Sequence, residues 1–241
     1  MTHKHNIMSE LSDKPEHPRQ IRSFVKRQGR MTQGQSRALE SLIPEYGVDH
    51  LDGLFDYPAI FARQAETILE IGFGMGQSLA AQAENHPEIN YLGVEVHLPG
   101  VGSLLNAMQA KGLENIRVSG EDAVVLLRDH IGMNSLDGIQ IFFPDPWHKK
   151  RHHKRRLIQP EFVTELATRL KPGGFMHLAT DWENYAEQML EVLSAEASLK
   201  NTSDTNDYVP RPDSRPLTKF EQRGHRLGHG VWDLIFVKKS T

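Results

Sequence analysis

The chain has no cysteine, which excludes disulfides, thiolate metal sites and cysteine nucleophiles. No apolar run approaches the roughly 20 residues of a membrane-spanning helix, and Met1 to Gln20 is polar, without the apolar segment of a secretory leader. A cytoplasmic location is therefore expected. An excess of positive charge is also missing: the net charge of −3 argues against a uniformly basic nucleic-acid binder. There is no internal repeat and no low-complexity tract. What remains is the composition of a soluble globular protein, 38% apolar and 24% charged, with 241 residues to build one substantial core.

The stretch that organises the chain is Glu70-Ile71-Gly72-Phe73-Gly74-Met75-Gly76. The apolar run Ile68 to Ile71 opens into alternate glycines, and Gln77 to Ala83 reads as a helix start, giving strand, tight turn and helix. Glycine there admits a ligand against the main chain. A dinucleotide fingerprint has the spacing G-x-G-x-x-G, whereas here the third glycine comes one residue early and Gln77 stands in its place. Glu70 before the turn suits a ligand carrying an ammonium group and no phosphate, which describes S-adenosylmethionine.

Residues 1 to about 18 read as a mobile tail, in which His3 and His5 are solvated. Arg19 to Arg30 mixes five cations with Phe24 and Val25, an arm able to lie on phosphates or to stay a solvated tail. This sets the expected division: a flexible basic arm over 1–30 and a single domain over 31–241. Thr32 begins a short helical pattern that Pro44 ends. From Glu66, strand and helix patterns alternate. Strands are expected near 67–71, 90–95, 115–119, 136–143 and 173–179, and helices near 77–85, 100–111, 122–130, 159–170 and 183–195. Val231 to Val237 reads as a late strand, antiparallel, at or near the sheet edge. The expected fold class is α/β, a Rossmann-like doubly wound, mostly parallel seven-stranded sheet with helices on both faces, of which six strands are marked by these patterns.

Open α/β sheets bind ligands at the carboxyl ends of their strands, and five successive strand ends here each deliver a carboxylate. They are Glu70, Glu95, Glu121 with Asp122, Asp145 and Asp181. Glu95, 19 residues after Gly76, suits the two hydroxyls of a ribose. Asp122 can accept from an adenine amino group and is equally a helix N-cap, an ambiguity that Asp181 shares. Asp145 is held stiffly between Pro144 and Pro146. Beyond it, six Lys or Arg residues fall within the eight positions Lys149 to Arg156. Such a run is often a solvated face, but beside a cofactor rim it can grip phosphates. Trp147 is placed to stack on a base or to pack the loop.

Pro144 to Trp147 and the basic run behind it resemble those of the bacterial tRNA (guanine-N7)-methyltransferases. The resemblance also covers Arg22 to Arg30, Leu69 to Gly76, Gly93 to His97, Ala179 to Trp182, Arg215 to Glu221 and Gly224 to Asp233. It implies methyl transfer from S-adenosylmethionine to N7 of a guanosine at position 46 in the tRNA variable loop. By resemblance, Glu70, Glu95, Asp122 and Asp145 line the donor site, beside the glycine turn of Gly72, Gly74 and Gly76, and Asp145 carries the catalytic assignment. Lys149, Asp181, Thr218, Lys219, Phe220 and Glu221 are the substrate contacts it implies. The RNA-binding stretch is Arg151, His152, His153, Lys154, Arg155 and Arg156.

Guanine N7 has an in-plane lone pair and no proton, so alignment rather than a strong base is the requirement. A carboxylate near the purine favours the positive charge arriving on it. His148, His152 and His153 are interleaved with cations, a field poor for a metal, while His225 and His229 lie on a glycine-rich approach to the last strand that suits a structural or phosphate-contacting role, and no metal is expected. No exposed apolar helix face stands out, so a monomer with tRNA as partner is expected. Two alternatives stay open. A nicotinamide-dependent oxidoreductase is disfavoured by the glycine spacing, and a noncatalytic RNA-binding protein of the same fold by Glu70, Glu95 and Asp145.

Overall fold

The computed structural model describes residues 30–217, 221 and 230–240. The expected arm up to Gln28 and Gly29, Thr218 to Phe220, His225 and His229 lie outside the described residues. The sheet is built on strands β1 (Thr67–Ile71), β2 (Asn90–Val94), β3 (Ile116–Ser119), β4 (Leu136–Phe142), β5 (Leu170–Thr180), β6 (Leu199–Asn201) and β7 (Trp232–Lys238). Their spatial order is β3-β2-β1-β4-β5-β7-β6. The first five strands pair in parallel, and β7 runs antiparallel to both β5 and β6.

Alternation along the strands sorts the core into two layers. Leu69, Ile71, Leu92, Val94, Ile139, Ile141, Met176 and Leu178 pack on one face. Ile68, Tyr91, Ile116 and Val118 pack on the other. The second layer is covered by helices α1 (Gln33–Tyr46), α3 (Gln77–Asn85) and α4 (Leu98–Lys111). The first receives α5 (Ala123–His130), α6 (Pro160–Arg169) and α7 (Glu183–Ala195), with the short α2 (Tyr57–Phe61) at its margin. Each expected strand from 67–71 to 173–179 and each helix from 77–85 to 183–195 appears within a few residues of its expected bounds.

One local reading needs correction. Pro44 lies inside α1 instead of ending it. The helix runs on to Tyr46 because Leu42, Ile43 and Tyr46 pack against the α4 layer, and Ile43 O still accepts a bond, from Gly47 N at 2.8 Å. Its start is firm: Thr32 and Gln35 form a reciprocal capping box. The late strand β7 is antiparallel and near the sheet edge, as expected, with β6 added outside it. With three residues, β6 is too short to show an alternating pattern. The cations after Lys149 form a turn of 3₁₀ helix, Lys150–Arg155.

Candidate active site

The strand order reverses between β1 and β4, and the carboxyl ends beside that point open into two adjoining cavities. The larger, about 470 Å³, is lined by Gly72, Glu95, Glu121, Asp122, Asp145 and Trp147, among others. That is the size of a small-molecule site. The smaller, about 280 Å³, is lined by Glu70, Gly74, Gly76, Ser78 and Arg215. Gly72, Phe142 and Phe143 are common to both.

The turn after β1 has the form its glycines anticipate. Gly72, Gly74 and Gly76 have φ of 76°, 60° and 75°, a region closed to most side chains. A Cβ on Gly72 or Gly74 would meet nothing within 4 Å, so the loop faces open space. Glu95 braces it from β2: Oε2 accepts from Gly74 N at 2.9 Å and Oε1 from His97 N at 2.8 Å. Glu70 is 2% exposed, and its Oε2 accepts from Gln82 Nε2 at 3.1 Å. Burial pushes its carboxyl up to about 8, with the Gln82 bond opposing.

At the end of β3, Asp122 is the N-cap of α5. Its Oδ1 accepts from Val124 N at 3.0 Å, capping α5, and it also lines the larger cavity. Beside it, Glu121 Oε2 is buried with no hydrogen-bond partner among the described residues. After β4 the backbone turns sharply, with φ of 52° at Phe143 and 46° at Trp147. Left-handed aromatic residues are strained, by about 1–3 kcal/mol each. Asp145 is exposed between them, and its Oδ1 accepts from Trp147 N at 3.0 Å. Asp145 lies in the wall of the larger cavity.

Asp181 lines neither cavity. Nor does it cap α7, whose N-cap position is Trp182. Trp182 is exposed, with its ring 4.3 Å from that of His148. Lys149, just before the 3₁₀ segment, and Arg151 and Lys154 on it are exposed, and Arg155 lies with its guanidinium carbon 3.9 Å from the centre of the Trp147 ring. His152 and His153 are partly exposed. Both are held below the ordinary imidazole value by desolvation and by the neighbouring cations.

Arg156 departs from the expected RNA-binding set. It is 2% exposed. Its guanidinium donates to Pro146 O at 2.9 Å, Gln188 Oε1 at 2.7 Å and Asn184 Oδ1 at 3.0 Å, and lies over the Tyr185 ring. An arginine so engaged ties the turn after β4 to α7 and is not available to phosphates. Glu221, expected to contact substrate, is also 2% exposed and receives both Nη1 and Nη2 of Arg215, at 2.8 and 2.7 Å.

Arg215 in turn bonds Asp233, whose Oδ1 lies 2.7 Å from His177 Nε2. Burial alone would raise Asp233, but the bonds from His177 and Arg215 outweigh it and hold the carboxyl below its ordinary value. Sequence reasoning assigned no role to Arg215, His177, Asp233 or Gln82. No local spacing marks them, because their partners lie up to 56 residues away. Among the described residues no group of three or more His, Cys, Asp or Glu is arranged to hold a metal. None of the described helices is long and apolar enough to cross a membrane.

Residues 64–234 match the protein family described as "Putative methyltransferase". A tRNA (guanine-N(7)-)-methyltransferase of Hydrogenovibrio crunogenus is 57% identical to this chain over 230 residues, 95% of this chain and 96% of its own. A protein of the same name from Burkholderia vietnamiensis is 60% identical over 227 residues, 94% and 88% of the two chains. Among solved structures, the 16S rRNA methyltransferase KamB superposes with a TM-score of 0.56 at 16% identity, covering 80% of this chain and 97% of its own. That last likeness is one of fold.

Proposed function

Because the chain belongs to the family of tRNA (guanine-N(7)-)-methyltransferases, we propose that it methylates N7 of a guanosine in tRNA, the one at position 46 of the variable loop, with S-adenosylmethionine as donor. The observation that carries this reading is Trp147. It lines the larger cavity and at the same time supports Arg155, so the donor site and the exposed cations share one wall.

The residues present fit the donor. Open space stands before Gly72 and Gly74, and the buried Glu121 Oε2 offers an acceptor to an adenine amino group. When bound, S-adenosylmethionine supplies a methyl group on a sulfonium that leaves with the electron pair of the breaking C–S bond. Asp122 joins Glu121 at the adenine, Glu95 takes the ribose hydroxyls while bracing the glycine loop, and Glu70 faces the ammonium. Asp145 accepts from guanine N1 or N2 and fixes the base so that the N7 lone pair points along the new bond. It also offsets the charge arriving on the purine. No proton is abstracted. Lys149, Arg151, Lys154 and Arg155 hold phosphates, and Asp181 stands at the next strand end.

The direct test is transfer of labelled methyl from S-adenosylmethionine to unmodified tRNA, with the modified nucleoside identified and mapped. N7-methylguanosine in the variable loop is the expected product. Donor binding without transfer to tRNA would leave a noncatalytic RNA-binding protein as the better reading. Asp145→Ala should keep tRNA affinity within about twofold and lower turnover by roughly 10²–10³, the range for removal of one electrostatic interaction in an active site. Wild-type turnover in that variant would remove Asp145 from the mechanism.

A further inference from the structure

The smaller cavity carries an unassigned cation. Arg215, 1% exposed as a side chain, forms part of its wall together with the glycine turn and Glu70. The Arg215 guanidinium donates through Nε and Nη2 to the two oxygens of Asp233, at 2.7 and 2.8 Å. Through Nη1 and Nη2 it donates to those of Glu221. A guanidinium has five N–H groups. These four bonds leave one N–H of Nη1 with no acceptor among the described residues. The rings of Phe142 and Phe143, which also line this cavity, lie 5.9 and 5.5 Å from the guanidinium carbon and shield it from water.

The wall thus offers a carboxyl group, Glu70, and a planar guanidinium, Arg215, with one N–H to spare beyond its two carboxylate partners. The amino-acid end of S-adenosylmethionine carries the complementary pair, an ammonium and a carboxylate. We propose that Arg215 receives the carboxylate of the donor's amino-acid end while Glu70 takes its ammonium. This assignment rests on the donor reading above. Asp233, backed by His177, and Glu221 are positioning residues: they fix the plane of the guanidinium and leave its remaining N–H for the ligand. A lysine could supply charge but not this fork.

Calorimetric titration of the full chain separates this role from a purely structural one. S-adenosylhomocysteine carries the whole amino-acid end, whereas 5′-methylthioadenosine has the same nucleoside and sulfur without it. Arg215→Lys should weaken S-adenosylhomocysteine binding by about 10- to 100-fold, the worth of a charge-assisted hydrogen bond. It should leave 5′-methylthioadenosine within about twofold. Equal losses for both ligands, or no loss for either, would overturn the assignment. A wild-type protein that binds neither ligand would instead sink the donor reading itself. Should Arg215→Lys not fold, the wild-type protein still decides. S-adenosyl-3-thiopropylamine, which lacks only the carboxylate, should bind at least tenfold more weakly than S-adenosylhomocysteine, and equal affinity would overturn the proposal.

Discussion

Arg215 and the arginines of the 3₁₀ segment carry the same chemical group in opposite settings. Arg215 is enclosed with two carboxylates and a histidine, each in direct contact with the next. Arg151 and Lys154 stand in solvent with cations for sequence neighbours, and Arg155 leans on Trp147. Burying a charge is tolerated when it is paired with opposite charge, while a cation kept for phosphate must stay unpaired and wet until the ligand arrives. The boundary between the two regimes falls inside a single run of sequence. Arg155 belongs to the surface, and its neighbour Arg156 to the interior.

Three variants sharpen that contrast, in falling order of their effect on stability. Arg156→Ala removes the tie between the turn after β4 and α7 and strands Asn184 and Gln188 without their donor. It should cost about 2–4 kcal/mol and lower Tm by roughly 5–15 °C, while the salt dependence of tRNA binding keeps its slope. A slope reduced by one with Tm unchanged would return Arg156 to the RNA-binding set.

Glu70→Gln tests the buried carboxyl that lacks a cation. In the folded protein it titrates at about 8, above its ordinary value of 4.5. Between those two values the native state binds more protons than the unfolded one, so the residue's contribution falls as pH rises through the window. The substitution should therefore be near neutral at about pH 4.5 and stabilise the free protein by about 1–3 kcal/mol at about pH 8, with donor binding lost. Thermal melts across that range check the sign, and a variant less stable at the alkaline end would contradict it.

Replacing Arg151, Lys154 and Arg155 together by Ala should leave Tm within about 2 °C, as exposed substitutions do. The slope of log K against log salt should flatten by about 2–3 for tRNA, nearly one for each phosphate no longer neutralised. A slope that does not move would place this face off the RNA path.

The difference between Arg155 and Arg156 also marks how far sequence reasoning reaches. Strands β1 to β5 and the helices between them were legible because a period of two gives way to a helical period at glycines and caps. Gly76 before α3 and Asp122 before α5 are such junctions. For the same reason the carboxylates at the ends of β1 to β4 could be read from the chain alone. Within Lys149 to Arg156 nothing local separates the residues, since burial of Arg156 is decided by Asn184, Tyr185 and Gln188 on a helix about 30 positions later. The Arg215 cluster was illegible for the same cause: its members come from β5, β7 and the connection between β6 and β7, and only the assembled sheet brings them together.

The start of α4 sets a tolerance on the donor loop. A Cβ at Gly100 would lie 2.1 Å from Gly74 O, and one at Gly102 would lie 2.8 Å from Gln35 O in α1. Gln35 Nε2, from the capping box, donates to Pro99 O at 3.0 Å on the same turn. The helix backbone thus acts as a shim, gauged on one side by the ligand loop and on the other by the first helix. Gly100→Ala, the mildest replacement in most scans, would push the loop outward, and a misplacement of about 1 Å beside a reacting centre can cost roughly a hundredfold in rate. The loop's height over the sheet is set by a hydrogen atom where every other residue type would have carbon.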